Sequence, residues 1–342
     1  MDDFKSVRHN RPRRDDSEDI IDPVYHALSR INGRINRMTK AELQTDLNRN
    51  GLNERGVKEV LRKRLKNYYK KQKLRMKPLH EDGSQYYPYL VVIDFEATCE
   101  EHNPTNYLHE IIEFPAILVD TEKAKIVDKF HTYCQPVVNP TLSSFCTRLT
   151  GITQSTVEAA PLFPEVLEKF QGWLHLHGLL IPKTCSYVTD GSWDFSRFLN
   201  IQCCLSEVPY PKWAKKWINL KKVFGNFYGL RRPRILDMLQ NIGLEFEGRP
   251  HCGLDDATNI AKIVLRLLED GAEFQVNERL RAGKLEIISE KERLLLGGYK
   301  KHVTPEKNQS DVEKSVESLD ALSISDSSQE ETNSQKTTII KL

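Results

Sequence analysis

Apolar and polar positions in the middle of the chain fall into short blocks that predict a sheet. Residues 89–95 (YLVVIDF) form an apolar, β-rich run of the kind found in strands that are buried on both faces. Residues 110–119 and 126–133 are two further strand candidates, and the charged stretch 120–123 between them predicts an antiparallel meander. Residues 185–189 predict one more strand.

Helical periodicity follows these strands. It predicts helices over residues 163–176, 193–204, 231–239 and 254–268. The last segment has one continuous apolar face, formed by Ile260, Ile263, Val264, Leu267 and Leu268. Strands first, then alternating helix and strand, predict a mixed α/β domain, which we place at residues 88–298.

A small helical unit precedes this domain at residues 36–72. Thr39 and Glu42 have the spacing of a capping box at a helix start, and Gly51 is suited to end that helix. A second amphipathic helix is predicted by the apolar repeat Val57, Leu61 and Leu65. Two helices in so few residues form only a marginal core, so we expect the unit to need its neighbour or a ligand for full stability.

The flanking segments have compositions typical of unfolded chain. Residues 1–35 mix acids, bases and prolines, residues 73–87 form a linker with Pro and Gly, and residues 299–342 form a tail rich in Ser, Asp and Glu. No apolar run approaches the roughly 18 residues that a membrane span needs, so we expect no membrane association. The seven cysteines include no CxxC pair and are interpreted as free thiols.

Charge is unevenly distributed although the formal net charge is only +2. Eleven Lys or Arg residues and one acid, Glu59, lie between Arg55 and Lys77. Most Lys-rich helices are simply solvated, but this excess of positive charge is more than solubility requires. Phosphate groups bind to such clusters with release of counterions, so the helix is a candidate nucleic-acid surface.

Two acids follow the first predicted strand directly. Asp94 and Glu96 are two residues apart and therefore point to the same face of an extended chain. A D-x-E pair alone is commonly a solvent-facing feature of an exposed strand. Here the preceding run LVVI predicts a buried strand, and buried carboxylates need a cation, for which Mg²⁺ or Mn²⁺ is suited.

Three more residues complete a candidate site. Asp194 lies at a predicted strand-to-helix junction, where an acid is also common for helix stability, and Asp190 four residues earlier competes for the role. His251 lies in a loop and Asp256 in the first turn of a helix, where Asp255 is an alternative cap. Taken together with Asp94 and Glu96, the set predicts a metal-dependent nuclease.

The order D-x-E, a distant Asp, and then H-x4-D resembles the DEDDh group of 3′→5′ exonucleases, which share the RNase H-like fold, a mixed sheet flanked by helices. The DEDDy relatives carry Tyr at the position of Cys252, so the histidine type is indicated. The stretches FEATCEE, HEIIEFP, LTGIT, TDGSWD, FLNIQC, KKWIN and RPHCGLDD are similar to eukaryotic exoribonucleases that act on histone-mRNA 3′ ends. Residues 36–72 resemble a SAP nucleic-acid-binding module.

This resemblance implies the roles of individual residues. Two Mg²⁺ ions, with Mn²⁺ as an alternative, would be held by Asp94, Glu96, Asp194 and Asp256. His251 would act as general base beside Glu96, and Glu96-Ala97 would lie against the terminal sugar. Trp193 is suited to stack on a base, although a core tryptophan beside the site is an equal alternative. In the SAP-like unit the RNA-binding candidates are Arg55, Lys58, Arg62, Arg64 and Lys66.

The expected activity is 3′→5′ trimming of RNA that ends in a stem-loop or in a duplex with a 3′ overhang. The resemblance implies histone mRNA, small interfering RNA duplexes and 5.8S ribosomal RNA as substrates, and a stem-loop-binding protein and the ribosome as partners. It also implies that the protein is located in the cytoplasm and the nucleus, including the nucleolus. Two alternatives stay open: a DNA 3′→5′ exonuclease of the same group, and a non-enzymatic protein that binds stem-loop RNA.

Overall fold

A computed structural model describes residues 23–74, 87–104, 107–231 and 233–280. The predictions for residues 1–22, for the linker after residue 74 and for the acidic tail lie outside these described residues. The helices are α1 (Pro23–Arg37), α2 (Lys40–Arg49), α3 (Lys58–Leu74), α4 (Ser144–Thr150), α5 (Gln154–Glu158), α6 (Phe163–Leu176), α7 (Asn200–Leu205), α8 (Leu220–Tyr228), α9 (Ile235–Ile242) and α10 (Gly253–Glu269). The strands are β1 (Tyr89–Ile93), β2 (Glu96–Ala97), β3 (Ile111–Asp120), β4 (Lys125–Tyr133), β5 (Cys185–Thr189), β6 (Lys216–Asn219) and β7 (Glu278–Arg279). A π-helical turn, Asp194–Leu199, precedes α7, and a 3₁₀ turn, Lys212–Lys215, precedes β6.

The described strands form one mixed sheet, as the pattern of strands and helices predicted. Along the sheet the order is β2–β3–β1–β5–β6–β7, and β4 pairs with the other edge of β3. The β1–β3 and β3–β4 pairs are antiparallel, which confirms the meander, whereas β1, β5 and β6 run parallel. The carboxyl ends of these three parallel strands therefore meet at the same edge of the sheet.

Strands β1 and β2 both pair with β3 and continue in the same direction, although the pairing is interrupted between Ile93 and Glu96. Ile93 pairs with Ala116 and Glu96 pairs with Glu113, so the chain crosses Asp94 without a change of register along β3. The pairing of β1 with β5 ends at Val92. Asp94 and Glu96 therefore extend beyond the end of β5 and stay on one face, as the two-residue spacing predicted.

Alternating side chains of β1 pack into cores on opposite faces of the sheet. Leu90 and Val92 face a core that helices α8, α9 and α10 complete. Val91 and Ile93 face the other core, which α6 and the π-helical turn cover together with a group of aromatic rings. Because Asp94 follows the alternation, it lies on the α10 side, where the first turn of α10 carries Asp256.

The N-terminal unit contains three helices among the described residues, one more than predicted. The Thr39–Glu42 capping box is present, and Gly51 has the positive φ that ends α2. The expectation that the chain is unfolded up to residue 35 is wrong for residues 23–35, because they form most of α1. Ile35 is fully buried against α2 and α3, so α1 supplies part of the core that two helices alone lacked.

The junction between this unit and the α/β domain is polar and buried. The Arg64 guanidinium binds Asp270 through Nε–Oδ1 (2.6 Å) and Nη2–Oδ2 (2.9 Å), and both side chains are 3% exposed. The Tyr228 hydroxyl donates to the same carboxylate at 2.6 Å. Val60 of α3 joins the core beneath α8 to α10, so the two units share apolar as well as charged contacts.

Two predicted helices differ from the structure in their bounds. The helix predicted for residues 231–239 begins at Ile235, because a residue before Pro233 is disfavoured from helical geometry and Arg234 has extended backbone angles. The segment 193–204 is a π-helical turn followed by α7, with no single α-helix. Within the described residues, no helix has both the length and the apolar character to span a membrane.

Candidate active site

A cleft of about 610 Å³ opens at the carboxyl ends of the parallel strands. The five residues predicted for catalysis and metal binding all line it, namely Asp94, Glu96, Asp194, His251 and Asp256. They come from three separate parts of the chain, which the sheet and α10 bring together. The position agrees with the general tendency of open α/β sheets to bind ligands beyond the carboxyl ends of their strands.

Asp194 is tied directly to the first strand. Its carboxylate Oδ1 accepts a hydrogen bond from the Phe95 amide at 3.1 Å, so two distant segments are joined between Asp94 and Glu96. Asp194 begins the π-helical turn, and π-helical turns occur frequently at functional sites. Phe95 and Phe195 pack in the core beneath, which fixes both backbones.

His251 lies in the turn that enters α10. Its φ of 64° is in the left-handed region, which is unusual for a residue with a side chain. The Asp256 carboxylate accepts from the His251 amide at 2.7 Å and stabilises this conformation. The His251 ring is exposed while Asp256 is buried, so the ring is accessible to solvent and the acid faces the other carboxylates.

The carboxylates of the cleft destabilise one another's charged forms. Burial first, and then the neighbouring acids, raise the pKa of Asp94 and of Glu96 well above the ordinary values. Burial raises the pKa of Asp194 and of Asp256 to about 7, against the hydrogen bonds that these carboxylates accept from backbone amides. A cluster of this kind is stable in its ionised form only when cations neutralise it.

The donor set fits hard divalent cations. Among the described residues, Glu96, His251 and Asp256 place one potential ligand atom each within 4.8 Å of one another. Asp94 and Asp194 line the same cleft and offer further carboxylate oxygens. Carboxylate-rich sites suit Mg²⁺, Mn²⁺ and similar ions, so the arrangement is suited to metal-assisted hydrolysis.

Sequence reasoning missed several residues that line the cleft. Asp190 and Asp194 were alternatives for one position in the site, but both line the cleft. Asp190 forms a 2.5 Å ion pair with Lys221. Lys222 binds Glu278 at 3.0 Å, and Glu278 also accepts from the Ser192 hydroxyl beside Trp193. The two lysines follow the KKWIN stretch, but a lysine pair at a helix start has no distinctive pattern. Their place in the cleft depends on the pairing of β5 with β6.

Trp193 is exposed, and the prediction of a stacking surface fits its position better than the core alternative. Its side chain is 57% exposed at the edge of the cleft. The Arg197 guanidinium lies 4.8 Å from the centre of the indole ring, and Phe198 makes an edge contact with it. Ala97 is buried and is not among the described cleft-lining residues, and its carbonyl accepts from the Cys146 thiol at 3.8 Å. A contact of the Glu96-Ala97 backbone with the terminal sugar stays a prediction.

The predicted RNA-binding residues divide into two groups. Arg55 is exposed, and Lys58, Arg62 and Lys66 are half-buried along α3. Arg64 is different: the structure places it in the buried pair with Asp270, so it does not belong to the exposed basic surface. A basic run cannot reveal which of its members turns inward, because the acid that Arg64 binds lies 206 residues away along the chain.

The half-buried and exposed bases of α3 repel one another. Burial and then the charge of Lys70 lower the pKa of Lys63, whose ammonium lies 4.7 Å from the Phe227 ring centre. Burial and then the charges of Arg62 and Lys63 lower the pKa of Lys66. We name Arg62, Lys63, Lys66 and Lys70 the α3 basic surface. Because these cations repel one another, anionic phosphates would stabilise them.

Comparison with known proteins agrees with both parts of the molecule. The RNase_T exonuclease family model matches residues 91–264, and the SAP domain model matches residues 34–70. The chain is 52% identical over 275 residues to 3′–5′ exoribonuclease 1 of Homo sapiens, covering 80% of this chain and 78% of the human protein. It is 34% identical to 3′–5′ exonuclease eri1 of Schizosaccharomyces pombe, covering 70% and 90%.

Solved structures give the same result. A 3′-exonuclease in 3′-end-specific recognition of the histone mRNA stem-loop has a TM-score of 0.57 and 51% identity, covering 78% of this chain and 92% of that one. The nuclease domain of 3′hExo bound to rAMP, described as a DEDDh family member, has a TM-score of 0.56 and 52% identity, covering 57% and 98%. The chain therefore belongs to the divalent-metal-dependent DEDDh exonucleases, and within them to the 3′–5′ exoribonuclease 1 group with an N-terminal SAP domain.

Proposed function

We propose that this 3′→5′ exoribonuclease hydrolyses RNA with two Mg²⁺ ions held by its four cleft carboxylates, and that His251 is the general base. The single observation that supports this most is the convergence of Asp94, Glu96, Asp194 and Asp256 in one self-repelling cluster, in which Asp194 and Asp256 are buried and the other two are half-buried. Mn²⁺ has the same preference for oxygen ligands and is expected to substitute.

The geometry around His251 favours a proton-accepting role. Two bound metal ions would stabilise the attacking and leaving oxygens of an in-line displacement at phosphorus. The exposed His251 ring has a nitrogen that can accept a proton from the attacking water. The water oxygen bonds to phosphorus, the bond to the 3′ oxygen breaks, and that oxygen takes up a proton. The products are a nucleoside 5′-monophosphate and an RNA one residue shorter.

The terminal nucleotide is expected to lie between Trp193 and the end of the first strand. The exposed indole offers a face on which a base can stack. Glu96 is a member of the metal-binding cluster, and its carboxylate can also accept a hydrogen bond from a ribose 2′-hydroxyl, which DNA lacks. This contact would favour RNA, and comparing matched RNA and DNA oligonucleotides tests it.

The α3 basic surface is proposed to bind the duplex part of a structured RNA. Phosphate groups would neutralise the mutually repelling cations of the α3 basic surface. Duplex RNA is bound mainly through its shape and phosphates. A related 3′-exonuclease recognises the histone mRNA stem-loop, so that RNA is our first candidate. Small interfering RNA duplexes, the 3′ end of 5.8S ribosomal RNA, a stem-loop-binding partner, the ribosome, and action in both cytoplasm and nucleus remain further proposals.

A pair of matched variants tests the site assignment. Asp194→Asn removes a cleft carboxylate charge and should abolish Mg²⁺-dependent trimming of a stem-loop RNA from its 3′ end. Asp255→Asn is the control, because Asp255 lies beside Asp256 but binds the Arg249 amide and is absent from the cleft lining. Trimming that persists in Asp194→Asn, or in excess EDTA, would exclude the proposed site.

A further inference from the structure

We propose that Glu113 is a positioning residue that holds the start of α10, and with it His251 and Asp256, against the Asp94–Glu96 segment. The proposal rests on the catalytic roles proposed for those four residues. Glu113 is absent from the described lining of the cleft, so it acts through other groups and not on the substrate.

Glu113 is a fully buried carboxylate near the start of β3. It is 1% exposed, and it pairs across the sheet with Glu96. Its negative charge also raises the pKa of Glu96, so an acid at this position is costly for the neighbouring cluster. A buried acid that opposes the charges of the site needs a compensating interaction, and its partners show what that is.

The compensating partners are the free amides at the start of α10. Glu113 accepts from the Gly253 amide at 2.9 Å and from the Leu254 amide at 3.2 Å. First-turn amides have no partner within a helix, and a side chain of the preceding residue usually binds them. Here that residue is Cys252, which makes no capping hydrogen bond. Glu113 therefore supplies from β3 the cap that the local sequence lacks.

The same interaction sets how closely α10 approaches the first strand. A Cβ atom on Gly253 would lie 3.0 Å from the Asp94 carbonyl oxygen and 3.1 Å from the Glu113 carboxylate. The helix start thus packs directly on the backbone of Asp94, and even a methyl group at Gly253 would require its neighbours to shift by a few tenths of an ångström. His251 lies two residues before Gly253 and Asp256 three residues after it, so a shift of this point moves both relative to Asp94.

His131 completes the arrangement from the edge strand β4. Its Nε2 lies 2.8 Å from Glu113 Oε1, and the ring is partly exposed. The two oxygens of Glu113 are therefore both occupied, Oε2 by Gly253 and Oε1 by Leu254 and His131. This three-point attachment joins β3, β4 and α10 immediately behind the cleft.

The test compares Glu113 with another buried acid, which lies three residues earlier in the chain. Glu110 is also 1% exposed and is also absent from the cleft lining. It accepts hydrogen bonds from the backbone amides of Val137, Val138 and Asn139. Glu113→Ala should lower kcat on a short single-stranded RNA by roughly 10- to 100-fold, the usual cost of losing a residue that orients metal ligands. KM should change by less than about threefold. Glu110→Ala should lower the unfolding temperature similarly but keep kcat within about twofold.

Two more variants keep the proposal open to refutation if Glu113→Ala folds poorly. Glu113→Gln retains one acceptor oxygen and should have an intermediate kcat. Gly253→Ala leaves Glu113 intact but displaces the same helix start, so it should also lower kcat and add little in combination with Glu113→Gln. Equal kcat in the Glu113 and Glu110 variants, or a change confined to KM, would overturn the positioning role. The site assignment itself fails if trimming persists in Asp194→Asn or in excess EDTA, and both are results separate from those of the Glu113 variants.

Discussion

Removal of the Arg64 side chain should destabilise the whole folded unit. In Arg64→Ala, the Asp270 carboxylate keeps the Tyr228 hydroxyl but loses two charged hydrogen bonds while it remains buried. Breaking one side of a buried ion pair typically costs about 3–5 kcal/mol, because the remaining charge has no compensation. The guanidinium also donates to the carbonyls of Asn53 and Arg55, so we expect the upper part of that range.

Chemical denaturation with two-state fitting measures this free energy of unfolding. Asp270→Ala should cost a similar amount, and the double replacement Arg64→Met with Asp270→Leu should recover most of the loss, since no buried charge is left alone. A free energy of unfolding for Arg64→Ala within about 1 kcal/mol of the wild type would refute this account of the pair.

RNA binding separates the two roles that Arg64 could have. If Arg64 acts through the junction, Arg64→Ala and Asp270→Ala should weaken binding of a stem-loop RNA equally, because both release α3 from the α/β domain. If Arg64 contacts a phosphate, only Arg64→Ala should weaken binding. Unequal effects would restore Arg64 to the RNA-binding group predicted from the sequence.

Three further outcomes are expected. In the metal-free protein, the pKa of about 7 for folded Asp194 and Asp256 exceeds the unfolded value of about 3.9, so the folded state binds more protons. The free energy of unfolding should therefore fall as pH rises from about 4 through 7. Saturating Mg²⁺ should abolish this fall, as measured by calorimetry, and an unchanged fall would contradict the prediction. Trp193→Ala should weaken binding of the terminal nucleotide by roughly 5- to 150-fold, measured as KM on single-stranded RNA, whereas Trp193→Phe should lose less; an unchanged KM would exclude stacking. Lys66→Gln should reduce the slope of log affinity for stem-loop RNA against log salt by about 0.7–1 without changing hydrolysis of short single strands, and an unchanged slope would remove Lys66 from the α3 basic surface.

The catalytic set could be predicted because its members together match the order found in a known exonuclease group, and because two of the elements that carry them have strong local patterns. The apolar run before Asp94 indicates a buried strand, and the apolar face of α10 fixes the helix that carries Asp256. These periodicities belong to the elements themselves and need no knowledge of distant contacts. The same reasoning could not place Asp190 and Lys221, since their shared cleft depends on the pairing of β5 with β6.

The N-terminal region was predicted less well because its stability is not local. Ile35 of helix α1 becomes part of a core only where α2 and α3 cover it. The basic run of α3 indicated a surface, yet Arg64 lies within the run and points inward. Composition describes an average over positions, whereas burial is decided residue by residue through partners such as Asp270.

The π-helical turn between Asp194 and Leu199 has a consequence for how the chain tolerates length changes. A π-turn contains one residue more than the equivalent α-turn, and each α-helical residue adds about 100° of rotation. Deleting one residue from this turn would restore ordinary winding. It would then rotate the Asp194 carboxylate away from the Phe95 amide, or else rotate the buried face of α7 out of the core. The angular phase between metal ligand and core is thus set by a single inserted residue, so single-residue deletions here should be far less tolerated than most point substitutions.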